Sequence, residues 1–174
     1  MSRIFLVLVL MPVTMFAIAE TKVNKEYQLK AAYMLNFARF IYWPEEAFKV
    51  SSGKFNICVY GESPFGESLD KLSTKKIKNK NINLKYTNFP EELNECHIVY
   101  VSISKESIYE EEFQAMPRMY MLTVSDIKDF SVKGGMIEFI RLEKRIKFNI
   151  NVNKSHEAGI KYRSQLLEVA EHLR

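Results

Sequence analysis

The sequence predicts an α/β sandwich on a partly parallel sheet, finished by a C-terminal antiparallel hairpin. Three observations carry this reading. Apolar, β-branched runs alternate with helix-like segments, the pattern of strands joined by crossovers; the runs are "KFNICVYG" (54–61), "INLKYTNF" (82–89), "CHIVYVSIS" (96–104) and "RMYMLTVSD" (118–126). Next, "MIEFIRL" (136–142) and "RIKFNINV" (145–152) flank a short step at Glu143-Lys144, which only antiparallel pairing allows. Finally, a long apolar-striped helix precedes the first strand.

The chain opens with Arg3 and the apolar run "IFLVLVLMPVTMFAIA", broken by Pro12. Ala17-Ile18-Ala19 then fits the small-x-small cleavage pattern before Glu20. This predicts a cleaved signal peptide over 1–19 and one exported domain over 20–174, periplasmic in a bacterium. An uncleaved anchor is the alternative, for which the apolar stretch is short.

From Asn24 to Phe40 the spacing predicts a helix with Asn24 as N-cap. Leu29, Tyr33, Phe37 and Phe40 form one stripe. Ala31, Met34, Leu35, Ala38 and Ile41 widen it, so the helix is deeply buried or meets two surfaces. Pro44 ends it at Trp43. After the first strand, "ESPFGESLDKL" (62–72) reads as a turn opening a helix. "PEELNE" (90–95) reads as a helical turn, and "KESIYEEEFQAM" (105–116) as a helix. In the last strand Ile146, Phe148, Ile150 and Val152 alternate with Arg145, Lys147, Asn149 and Asn151, so one face packs and the other is wet. A final helix is expected from Ser164, its N-cap, to Leu173, with Leu166, Leu167, Ala170 and Leu173 inward.

Composition is that of an ordinary globular domain: 174 residues, 47% hydrophobic, 26% charged, net charge +4. Lysines gather at 71, 75, 76, 78, 80 and 85, but acids answer them at 91, 92, 95 and 110–112, with one aromatic, Tyr86, beside them. A nucleic-acid binder needs a dominant basic face with stacking aromatics, so none is expected as partner.

Chemistry-bearing sets are sparse. His97, His156 and His172 have no metal spacing, and no metal or cofactor is expected. Ser102, Ser104 and Ser125 sit at strand ends, where open α/β sheets place ligands, but none lies in a GxSxG elbow. "GESPFG", Gly61 to Gly66, resembles a phosphate loop in position only, lacking the P-loop Lys-Ser/Thr. With Ser102 it marks a candidate ligand edge. Gly134-Gly135 stands between a loop and a strand and reads as a structural turn, by positive φ or by close approach. Cys58 and Cys96 most simply pair in an oxidising compartment; two buried thiols or a redox pair are the alternatives, and there is no CxxC.

Taken in order, "LKAAYMLNFARFIYWP", "ICVYGESPFGESLDKL", "CHIVYVS", "MLTVSD", "GGMIEF" and "IKFNINVNKSHEAGIKYRSQLLEVA" make the chain resemble the YfiR family. The resemblance implies a Rossmann-like α/β fold, a homodimer, no catalytic site, and a Cys58–Cys96 disulfide. It also implies a role: binding the periplasmic part of a YfiN-type membrane diguanylate cyclase and repressing it; a sensor kinase is the other membrane partner that a regulatory binding protein of this kind admits. Cyclic di-GMP then falls and biofilm formation with it. A further cysteine pair of the typical repressor is missing here, and "LEKR" lacks the usual turn Gly or Asn. Candidate partner anchors are Phe37, Phe40 and Trp43 on the first helix and Leu166 and Leu167 on the last. The competing classes are a periplasmic sensor or carrier of a small ligand at the Gly61–Ser102 edge, feeding a kinase or transporter, and a hydrolase, against which the missing nucleophile–base pair weighs.

Overall fold

The computed structural model describes residues 14–49, 51–115 and 119–174. One eight-stranded mixed sheet runs through it, in the order β2-β3-β1-β4-β5-β6-β7-β8. The strands are β1 (Phe55–Tyr60), β2 (Lys76–Ile77), β3 (Lys80–Thr87), β4 (Ile98–Val101), β5 (Leu122–Ser125), β6 (Ile137–Leu142), β7 (Arg145–Ile150) and β8 (His172–Leu173). Strands β3, β1, β4, β5 and β6 are mutually parallel, and β6–β7 is the antiparallel hairpin. The fold is thus the Rossmann-like α/β arrangement expected, with a parallel core and an antiparallel end.

Alternation along the central strands builds two cores. In β1, Phe55, Ile57 and Val59 face one side, where α1 (Thr14–Arg39) lies; Cys58 and Tyr60 face the other. Strand β4 repeats this, with Ile98 and Tyr100 toward α1 and Val99 and Val101 away. Both faces are covered, which is why β1 and β4 read as continuous apolar runs. The second core is completed by Tyr109 of α2 (Tyr109–Ala115) and by Ile127 and Phe130 of the following loop. Cys58 and Cys96 are joined within it, with Cα atoms 5.9 Å apart, tying β1 to the entry of β4.

On the first face α1 presents Ala31, Met34, Phe37, Ala38 and Ile41, all buried. Phe37 stacks on Phe139 at 5.7 Å and meets Phe148 edge-on at 5.0 Å, so aromatic packing seats the helix on the β6–β7 hairpin. The inner stripe is therefore the second predicted set joined by Phe37 from the first. Leu29, from the first, is 44% exposed.

Several expected boundaries move. Helix α1 already covers Thr14 to Asn24, so Asn24 lies within it rather than capping it, and no Pro or Gly interrupts 14–24. The predicted signal peptide lies mostly on residues 1–13, outside the described residues. Where a helix was expected over 62–72, two 3-10 turns form, Gly66–Ser68 and Asp70–Leu72; Gly66 takes φ 51°, which a regular helix does not allow. Lys78 and Asn79 both take positive φ and fold β2 back on β3 as a two-residue hairpin. Strand β7 stops at Ile150, since Asn151 caps α3 (Val152–Glu157), its Oδ1 accepting from Lys154 N at 2.9 Å.

The last helix, α4, covers only Ser164–Glu168, with Arg163 rather than Ser164 as its N-cap. The chain beyond adds β8 parallel to β7: Glu171 N donates to Phe148 O and Arg174 N to Ile150 O, both at 2.9 Å. The open edge of β7 thus recruits the tail, and Leu173 is exposed rather than inward.

Candidate partner-binding groove

The sequence "RLEKRIK" (141–147) places four cations and one carboxylate on seven residues of the hairpin. Pairing Leu142 with Arg145 leaves Glu143 and Lys144 as the turn, with Glu143 at φ 53°. On β7, alternation with the inward Phe148 turns Arg145 and Lys147 away from α1, while Arg141, in step with Phe139 on β6, reaches Glu26 of α1. The first turns of α1 pass beside them. Together they wall an open trough of about 520 Å³, lined by Lys25, Glu26, Leu29 and Tyr33 of α1, by Arg141 and 144–148 of the hairpin, and by Val169.

Its electrostatics are one-sided. Five cations (Lys25, Arg141, Lys144, Arg145, Lys147) stand against a single lining carboxylate, Glu26. That carboxylate is engaged twice, by Lys30 at 2.8 Å and by Arg141. Lys147 pairs with Glu171 at 3.5 Å. Among the described residues, Lys25, Lys144 and Arg145 enter no ion pair. The floor is apolar, with Leu29 and Val169 exposed at 44% and 57%. Such a lining supports recognition through charge and apolar contact.

Beneath the trough lies a polar cluster. Asp126, just past β5, accepts from Tyr100 Oη at 2.6 Å, from Lys30 Nζ at 2.7 Å and from Tyr27 Oη at 2.8 Å. Burial pushes the Asp126 carboxyl up, but Lys30 and the two tyrosine hydroxyls outweigh it and hold it below the usual value. Burial first and the Asp126 charge second push the Tyr27 and Tyr100 hydroxyls well up, so both remain donors. A smaller pocket of about 170 Å³ touches this cluster and shares Glu26, Arg141 and Ile146 with the trough. Sequence reasoning missed the cluster. Its signal was Lys30, a cation one turn before Met34 and two before Phe37, on the buried stripe.

The predicted site residues fall elsewhere. Phe37, Trp43 and Leu166 are no more than 4% exposed, so as surface anchors they are corrected: the chain's own core occupies them. Trp43 Nε1 donates to Ala38 O at 2.8 Å, closing the end of α1. Phe40 and Leu167 are half-buried against the same core. At the candidate ligand edge, Gly61 (φ 97°) and Ser102 do meet, at the ends of β1 and β4. The groups there bond to one another. Ser104 Oγ donates to Ser102 Oγ at 3.2 Å and accepts from Glu62 N at 3.0 Å, and a Cβ on Gly61 would lie 2.5 Å from Ser104 Oγ. Gly66 has open space around it.

The glycine pair divides two tasks. Gly134 takes φ 99°, which L side chains resist; Gly135 does not, but a Cβ there would lie 2.2 Å from the Phe130 ring. Glu138 is buried. Its carboxylate accepts from Asp129 N at 2.9 Å and from Ser131 Oγ at 2.6 Å, pinning the loop before the glycines.

The family model described as YfiR/HmsC-like (DUF4154) matches residues 27–171, nearly everything described from the middle of α1 to the last strand. The chain belongs to the YfiR/HmsC-like family. No curated protein matches it. Two solved structures match part of the chain. An ABC domain in complex with L-Trp from Streptococcus pneumonia has TM-score 0.47 at 11% identity, over 72% of this chain and 56% of that one. A conserved domain protein from Vibrio cholerae has TM-score 0.46 at 10% identity, over 70% and 55%. This YfiR/HmsC-like chain spans little more than half the length of either.

Proposed function

We propose that the protein is an exported, non-enzymatic regulator that binds the periplasmic part of a YfiN-type diguanylate cyclase and represses it. Intracellular cyclic di-GMP is lower while it is bound. The observation that carries this reading is the family match over 27–171. Three features support it. The Ala17-Ile18-Ala19 pattern fits cleavage before Glu20, leaving one mature domain over 20–174. The Cys58–Cys96 disulfide fits an oxidising compartment. No described helix is long and apolar enough to cross a membrane.

Deleting the gene in a strain encoding such a cyclase should raise cyclic di-GMP and surface attachment. Inactivating the cyclase in the same strain should abolish the rise. Unchanged cyclic di-GMP after deletion, with the cyclase expressed, contradicts the proposal.

A further inference from the structure

We infer that the basic trough between α1 and the β6–β7 hairpin receives an acidic, amphipathic segment of the membrane partner. This deepens the repressor reading and rests on it for the partner's identity; the chemistry of the segment rests on the trough alone. Charge complementarity selects an acidic occupant. Five cations line the trough, three of them without an ion pair among the described residues, and its one carboxylate is already engaged by Lys30 and Arg141. Such a field steers an acidic partner and rejects a basic one.

The apolar floor selects an amphipathic occupant over a bare anion. Leu29 and Val169 stand exposed among the cations, with Ile146 of β7 half-buried against the core. Apolar side chains seated there would leave water while their acidic neighbours meet the rim, the core-and-rim anatomy of specific interfaces. Shape selects a chain segment over the other sources of negative charge. A small ligand needs enclosure of most of its surface, whereas most of this lining is exposed. A bilayer surface meets flat or convex faces, and this one is concave.

The experiment compares the mature protein with Lys144→Glu/Arg145→Glu and with Val169→Asp. Lys75→Glu/Lys76→Glu, on the separate lysine cluster, is the control. Lys144 and Arg145 are exposed, so folding should be preserved; Lys144→Glu alone, at the turn, serves if the double variant loses its melting temperature. Binding is measured to four probes: the purified periplasmic domain of the cyclase, a synthetic Leu/Glu amphipathic peptide, its Leu/Lys counterpart, and phosphatidylglycerol vesicles. Expected is binding of the cyclase domain and the Leu/Glu peptide, weakened at least about tenfold by both trough variants but not by the control, and lost with added salt.

If the charge-reversal variant binds the cyclase domain as tightly as wild type, the trough assignment is overturned and the repressor reading stands. Should wild type ignore the cyclase domain yet bind the Leu/Glu peptide through the trough, the repressor reading fails and the trough keeps its acidic segment. Binding of neither overturns the assignment. So does trough-dependent binding of vesicles alone, which makes the face a membrane contact. Dissociation of a homodimer by the charge reversal also overturns it, making the trough a contact between copies.

Discussion

Single residues set local limits that substitution can read out. Gly135→Ala forces the Phe130 ring to move inside the second core, because the new Cβ would start 2.2 Å from it. Overpacking of this kind costs roughly 1–3 kcal/mol. Gly134→Ala meets open space and carries only the positive-φ cost, about 1 kcal/mol. Thermal unfolding of the two variants should therefore rank Gly135→Ala as the less stable, and equal losses would contradict the division of tasks. The pair was legible as a turn, but which glycine faces which constraint depends on Phe130 folding back over the loop, which no spacing encodes.

His97 offers a second test at this scale. Its ring lies 4.6 Å from Phe55 and 4.8 Å from Phe48, and Nδ1 accepts from Asn56 N at 3.0 Å. Burial lowers its pKa from 6.5 to about 4. Between those values the unfolded chain holds a proton that the folded chain does not, so acid favours unfolding. Stability should be intact above pH 6.5 and fall by up to about 1.4 kcal/mol per pH unit toward pH 4 from this group. Urea unfolding across that range should show the slope, and His97→Gln should flatten it. An unchanged slope in the variant would contradict a buried neutral imidazole.

Elements are held by links between residues far apart in the chain, and these were the least legible. The Lys30–Asp126 pair fastens α1 to the end of β5 across 96 positions, with a side-chain exposure of 4% for Lys30. Lys30→Met leaves the Asp126 carboxylate buried without its counter-charge, which should cost roughly 3 kcal/mol. Chemical denaturation checks this, and a loss under about 0.5 kcal/mol would show an exposed, screened pair instead. The disulfide spans 38 positions, and closing such a loop stabilises by about 4 kcal/mol in the chain-entropy model. Reduction or Cys58→Ser should remove roughly 2–5 kcal/mol; unchanged stability on reduction would contradict it.

Strands β1, β4 and the β6–β7 hairpin were readable because burial on both faces, or strict alternation, writes itself into the residues. The short elements β2, β8 and α3 were not, and α4 was read from Ser164 but carried too far. Helix α4 has five residues and β8 two, below any periodicity, and β8 exists only because the β7 edge has groups to pair. The trough was half-legible: "RLEKRIK" shows the charge, while Lys25, Leu29 and Val169 join it only through the fold. Of the apolar anchors proposed from sequence, Phe37, Trp43 and Leu166 lie in the core because core and interface share one vocabulary of large apolar side chains.

At the scale of the whole molecule, the function proposed above makes the disulfide-braced sheet and its basic trough a domain delivered across the membrane to restrain a signalling enzyme whose product stays inside. Location is the central claim, and it can be tested directly. Cyclic di-GMP should be measured in a deletion strain complemented with the full chain or with residues 20–174 lacking the leader, both at matched expression. Repression should return with the full chain alone, because the partner's binding surface lies outside the cytoplasm. Equal repression by the leaderless chain, or by neither, would contradict the account.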